Sequence, residues 1–123
     1  MILIEYPKCS TCKKAKKYLE DNSVIFIDRN IITETPTKEE LKEWIEKFFF
    51  SLDKLYNTSG MKYRELNLKE KRKTMSVEEQ LELLSSDGML IKRPIIITEN
   101  TMATGFKELE WNKIIKEERK WKN

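Results

Sequence analysis

The sequence predicts an α/β fold in which a four-stranded mixed sheet carries helices, with a helical region inserted between its two halves. Three observations predict it. Short apolar runs at 2–4 and 24–28 are joined by an amphipathic stretch, and a further apolar run at 95–98 turns back on itself. Between these halves lie two helical patterns, each opened by a Ser or Thr followed three residues later by Glu. Strands at both ends around a helical middle favour helices packed on one sheet. The chain of 123 residues is long enough for one domain with a real core, expected over 1–123 with the helical insert at about 37–88.

In chain order, Ile2, Leu3 and Ile4 read as a short buried strand. From Cys12 onward, Ala15 and Leu19 fall on one helical face, with Tyr18 beside them and lysines around the rest. Val24-Ile25-Phe26-Ile27-Asp28 is β-branched and aromatic and predicts the second strand. A helix crossing between the two strands predicts a parallel pair and a right-handed connection. Thr37-Lys38-Glu39-Glu40 is a capping box, and Leu41, Trp44, Ile45, Phe48 and Phe49 follow at helical spacing as core residues. Ser51 to Tyr56 predicts a short helix with Leu52 and Leu55 inward, and Asn57-Thr58-Ser59-Gly60 a turn. Tyr63 to Leu68 is ambiguous, and the basic stretch Lys69 to Lys73 reads as a solvated face. Ser76-Val77-Glu78-Glu79 opens another helix, with Val77, Leu81 and Leu84 on one side, ended by Ser86-Asp87-Gly88. Ile95 to Thr98 is a buried strand, Glu99-Asn100 a two-residue turn, and Thr101 to Thr104 its hairpin partner. Gly105 breaks the chain before a last helix that carries Trp111, Ile114 and Ile115.

The chemistry concentrates in Tyr6-Pro7-Lys8-Cys9-Ser10-Thr11-Cys12-Lys13-Lys14-Ala15, which holds both cysteines of the chain. A strand running into a helix through Cys-x-x-Cys is the sequence form of a thiol-disulfide site. Cys9 falls near the positive end of the helix dipole, where the first amide groups lack partners, so its thiolate is favoured. Nearby lysines act in the same direction. Cys12, one turn on, is placed to attack a mixed disulfide formed at Cys9. Half of a zinc site is an alternative, although the chain offers two cysteines and no histidine, so carboxylates or a second chain would have to complete it. Two buried structural cysteines are another.

Charged residues make up 37% of the chain but leave a net charge of only +3, because lysine and glutamate alternate along the helices. That pattern describes a solvated surface and argues against direct nucleic-acid binding. No apolar run is long enough to span a membrane, and the N-terminus lacks a signal-peptide pattern, so a cytoplasmic location is expected. In a reducing cytosol a Cys9–Cys12 disulfide would be transient and functional.

Four runs together resemble the arsenate reductase (ArsC) and Spx family. They are residues 6–15 quoted above, Asn-Thr-Ser-Gly-x-x-Tyr-Arg-Glu-Leu at 57–66, Ser-Asp-Gly-Met-Leu-Ile-Lys-Arg-Pro-Ile at 86–95, and Gly-Phe-Lys-Glu at 105–108. The resemblance implies a thioredoxin-like fold with a helical insertion. It implies that Cys9 is the catalytic cysteine and that Arg93 stands over it, where a guanidinium can bind an oxyanion or steady a thiolate. Pro94 matches a proline held cis beside the cysteine loop in thioredoxin-like folds. Lys8, Ser10, Thr11, Pro94 and Lys107 are then the candidate binding residues around Cys9, Cys12 and Arg93; no metal and no bound cofactor are expected.

The departures from the family pattern point two ways. Glutaredoxin-coupled arsenate reductases of the family have one essential cysteine and three arginines for arsenate. Here the first arginine falls on Asn57 and the third on Phe106, leaving Arg93, with Lys107, Arg64 and Lys8 as conceivable substitutes. A desolvated dianion needs several charge-assisted donors, so arsenate is poorly served. The Cys-x-x-Cys matches the Spx side, whose members sense oxidation and bind RNA polymerase. The preferred expectation is a thiol-disulfide oxidoreductase acting on a thiol or oxyanion substrate. Glutathione, or a redox donor protein such as thioredoxin or glutaredoxin, would supply its electrons. The alternative is a redox-sensing regulator that binds RNA polymerase.

Overall fold

The computed structural model describes residues 1–122. They form two compact units: Met1–Arg29 with the chain from Arg93 onward, and Asn30–Lys92.

The first unit is built on the sheet. Its strands are β1 (Ile2–Glu5), β2 (Ile27–Asn30), β3 (Ile95–Ile97) and β4 (Met102–Thr104), in the order β2-β1-β3-β4. β1 pairs antiparallel with β3, and β3 antiparallel with β4, so Leu3, Ile96 and Ala103 form one row across three strands. With strands alternating sides, that row faces one layer of helices. Ala15 and Leu19 of helix α1 (Ser10–Asp21) and Trp111, Ile114 and Ile115 of helix α6 (Glu108–Lys122) join it in one buried cluster. The sheet is mixed, as expected. The Glu99-Asn100 turn is also where the sequence put it: Thr98 and Thr101 bond across it, and the Thr98 hydroxyl accepts from both the Asn100 and Thr101 N–H groups.

The second strand does not start at Val24. α1 ends in a Schellman arrangement, with Ser23 at φ 56°, its N–H bonded to Glu20 O and the Val24 N–H to Leu19 O, both at 3.0 Å. Val24 is thus consumed by the helix cap. Pairing begins only at Ile27, whose N–H donates to Met1 O at 2.9 Å, and the strand runs on to Asn30. Nor does α1 wait for Cys12; it starts at Ser10, with Cys9 as its N-cap.

The second unit is helical. α2 (Lys38–Phe48) and α5 (Val77–Ser86) both open on complete capping boxes, Thr37 with Glu40 and Ser76 with Glu79. Between them lie a 3-10 turn at Leu52–Leu55, α3 (Met61–Glu65) and α4 (Leu68–Lys71), and 3-10 turns follow at Arg72–Thr74 and Gly88–Leu90. Two expected core residues are on the surface. Phe49 takes the left-handed C-cap position of α2 (φ 51°), which turns it off the helical face and leaves it 94% exposed. Val77, in the first turn of α5, is exposed, and the inward face is Gln80, Leu81 and Leu84. Gln80 is held there by Tyr56 Oη at 3.1 Å and Arg72 Nε at 2.9 Å. Arg72 is no solvated lysine-like residue: its guanidinium lies 4.0 Å from the Tyr56 ring centroid, donates to Tyr63 Oη and pairs with Asp53.

Gly88 packs where no side chain fits. A Cβ there would stand 2.2 Å from the Ile31 carbonyl oxygen, a backbone atom that cannot swing away. Gly88→Ala is expected to cost about 1–3 kcal/mol, the usual range for overpacking. Thermal unfolding should show a melting point lower by several degrees; an unchanged transition would mean that the backbone relaxes freely.

Candidate active site

Every residue of the Cys9 constellation belongs to the sheet unit. β1 ends at Glu5, and the loop Tyr6–Lys8 closes with the Cys9 N–H bonded to Tyr6 O at 2.9 Å. Cys9 is extended (φ −88°, ψ 123°), and its Sγ accepts the Cys12 N–H at 3.4 Å. The sulfur therefore occupies the place that a Ser or Asp side-chain oxygen takes in an ordinary N-cap. A thiolate answers the free N–H groups of that first turn better than a neutral thiol does.

The two cysteines are inequivalent. Burial pushes the Cys9 pKa up, but hydrogen bonds from the Cys12 thiol and N–H, together with the bonding and charge of Arg93, outweigh it, and the net shift is down. Cys12 is completely buried, and burial leads in pushing its thiol up to about 12. The nearby Cys9 charge adds to that, against smaller opposing effects of the Tyr6 backbone and Arg93. The surroundings thus favour the thiolate at Cys9 and the neutral thiol at Cys12.

Arg93 enters from the start of β3. The Arg93–Pro94 peptide is cis, as the resemblance implied, and Pro94 is buried. The guanidinium lies 5.2 Å from the Tyr6 ring centroid, and its Nε and Nη1 are buried with no hydrogen-bond acceptor. Arg93 makes no ion pair among the described residues. The carboxylate of Glu5 is instead surrounded by Asp28, Lys16 and Glu20. Glu5 is the acid with which a purely structural Arg93 would be expected to pair, and no such pair forms among the described residues. Glu5 is 5% exposed, and its pKa is raised by burial first, then by Asp28 and Glu20 against the pull of Lys16. The available signal for that burial was an acid closing an otherwise apolar strand.

The other expected binding residues form a rim. Lys8, Ser10, Thr11 and Lys107 are exposed, the two hydroxyl residues being the first of α1. Lys107 follows a pinned loop: the Gly105 N–H donates to Pro94 O at 2.8 Å, and Gly105 O accepts from Trp111 Nε1 at 3.0 Å. Phe106 stands edge-on to Trp111 at 5.0 Å, so the position of the missing third arginine is spent on packing. Asn57 and Arg64 lie in the helical unit, where the Asn57 N–H bonds Leu90 O and Arg64 bonds Ser59 O. Among the described residues no group of His, Cys, Asp and Glu could hold a metal ion, and no helix is long and apolar enough to cross a membrane.

A four-stranded mixed sheet with a cysteine capping the helix after β1, and a cis-proline entering β3 against it, defines a thioredoxin-like protein. Within that class the chain belongs to the ArsC family, whose model matches residues 4–114. It is similar to the uncharacterized protein YusI of Bacillus subtilis (strain 168), with 57% identity over 84% of this chain and 87% of YusI. It is also similar to the global transcriptional regulator Spx of Streptococcus pneumoniae, at 35% identity over 85% of this chain and 77% of Spx. Among solved structures, an ArsC family related protein from Bacteroides fragilis superimposes with a TM-score of 0.85 at 46% identity, covering 91% of this chain and 94% of that one.

Two single-cysteine variants test the inequality. Cys12→Ser, which leaves Cys9, should be alkylated readily below the free-cysteine pKa of about 8.5, whereas Cys9→Ser should react only in strong alkali. Equal rates at pH 6 would contradict the assignment. Arg93→Ala in the Cys12→Ser background should move the alkylation profile to higher pH, because a positive charge and a donor leave the thiolate. A purely structural arginine would lower the melting point and leave that profile in place.

Proposed function

We propose that the chain is a thiol-disulfide oxidoreductase of the arsenate reductase type, with Cys9 as nucleophile and Cys12 as resolving thiol. The observation that carries the reading is the asymmetric pair: a Cys9 sulfur accepting the Cys12 N–H at 3.4 Å, above a buried Cys12 whose pKa is near 12.

The Cys9 thiolate attacks one sulfur of a substrate disulfide. A Cys9–substrate bond forms, the substrate S–S bond breaks, and the leaving thiolate takes a proton from solvent. Cys9 is then uncharged, so its contributions to the raised Cys12 pKa vanish, while Arg93 and the Tyr6 backbone still favour the Cys12 anion. Cys12 attacks Cys9 Sγ, its proton passes to the departing substrate thiolate, and a Cys9–Cys12 disulfide remains. Two electrons have moved from the pair to the substrate. An external thiol, glutathione or a thioredoxin- or glutaredoxin-like protein, restores the dithiol. The unpartnered Nε and Nη1 of Arg93 suit an anionic oxygen beside the reacting sulfur. Arsenate is disfavoured as that anion, because two of the three arginine positions of the resembled reductases match Asn57 and Phe106 in this sequence. Lys8, Ser10, Thr11 and Lys107 form the rim that a substrate meets, and the cytoplasm is the compartment where such a cycle runs.

The likeness to Spx favours a second reading, in which the same disulfide switches a surface that binds RNA polymerase.

Mild peroxide should give a monomer two protons lighter with Cys9 joined to Cys12. Cys12→Ser should instead accumulate the mixed disulfide with a model disulfide substrate. Free turnover by that variant at the wild-type rate would remove Cys12 from the mechanism. Capture of RNA polymerase by the oxidised but not the reduced protein, without disulfide reductase turnover, would favour the second reading.

A further inference from the structure

From Tyr6 to Tyr18 the chain carries Lys8, Lys13, Lys14, Lys16 and Lys17 and no acidic residue. Two of these charges are answered from outside the run: Lys16 pairs with Asp28 at 2.8 Å and Lys17 with Asp21 at 3.1 Å. Lys8 and Lys13 are exposed and make no ion pair among the described residues, whereas Lys14, equally exposed, shares a surface depression with Asp21 and Glu108. Lys8 and Lys13 are the lysines nearest Cys9 in the chain. Lys8 precedes it, and Lys13 lies one turn above it, with its N–H on Cys9 O at 3.0 Å. Lys107, by contrast, is followed by Glu108 and Glu110.

An independent observation points the same way. Arg93 Nε and Nη1 are buried without an acceptor, a condition that native proteins rarely leave unanswered. The half-buried Tyr6 ring lies beside the guanidinium, 5.2 Å away.

We infer that the disulfide met by Cys9 carries carboxylates close to its sulfur atoms: one completes the bonding of Arg93, and others lie against Lys8 and Lys13. The inference rests on the thiol-disulfide reading and narrows its substrate to an anionic disulfide, either a small dicarboxylate or a cystine flanked by acidic residues. Exchange proceeds as above: the Cys9–substrate S–S bond forms, the substrate's own S–S bond breaks, and its other half leaves as a thiolate that takes a proton from solvent. Clustered unlike charges raise encounter rates by about tenfold or more at low ionic strength. Salt near 1 M, where the screening length is about 3 Å, removes most of that gain.

The test measures the rate at which the reduced wild-type protein reacts with dithiodipropionate (dianionic), cystamine (dicationic) and hydroxyethyl disulfide (neutral). A disulfide peptide with glutamates beside its cysteine forms a fourth arm. Dividing each rate by the neutral one cancels changes in thiolate fraction. The anionic probes should exceed cystamine about tenfold or more at low salt, and the ratio should collapse at high salt. It should invert in the double variant Lys8→Glu, Lys13→Glu. Whichever anionic probe is faster tells a small molecule from an acidic polypeptide. Equal normalised rates, or a preference that survives charge reversal, overturn the inference while leaving the thiol chemistry standing. No reaction even with hydroxyethyl disulfide overturns the thiol-disulfide reading itself.

Discussion

Cys9 closes the first turn of α1 with its own sulfur, and much of the sheet unit is arranged around that bond. To accept the Cys12 N–H, the sulfur must sit over the helix end, so Cys9 is extended and the chain before it turns tightly back onto Tyr6. The same turn drives Cys12 inward, where it shares the buried face of α1 with Ala15 and Leu19. One hydrogen bond thus exposes one thiol partly to solvent and hides the other completely. Arg93 and the cis-Pro94 complete the arrangement from β3, whose position is set by pairing with both β1 and β4.

Much of this was legible before the structure. Cys-x-x-Cys after an apolar run names both the helix end and the chemistry there, because free N–H groups and a thiolate are complementary. The two capping boxes and the Glu99-Asn100 turn were also readable, since each depends on bonds within four residues. What escaped depended on distant partners or on a single backbone torsion. Phe49 continues the apolar spacing of α2, but one left-handed residue removes it from the helical face. Val24 looks like a strand residue, yet its N–H had already been claimed by the end of α1. Arg72 sits in a basic run and becomes half-buried only because Tyr56, Tyr63 and Gln80 surround it. The burial of Glu5 escaped because nothing local shows how completely a strand end is covered.

A transcriptional regulator and a possible arsenate reductase are both similar to this chain, and one geometry of unequal thiols is compatible with either role. Under the oxidoreductase reading the pair of unequal thiols would pass electrons onward, and under the regulatory reading it would stop once oxidised. The difference lies in what reduces the disulfide and what meets the surface around it. Fold alone does not separate these roles.

The β3–β4 hairpin has a practical consequence. The chain leaves the reactive cysteine region at Pro94 and reaches the Glu99-Asn100 turn five residues on, after an extended run of about 16 Å. Both turn residues are exposed, and the tie between Thr98 and Thr101 holds the strand ends together beneath them. A fluorophore or an affinity handle attached at Asn100 would therefore be carried at the far end of the strand from the sulfur chemistry. The molecule has, in effect, a built-in grip by which it can be immobilised or watched while Cys9 remains open to whatever it reacts with.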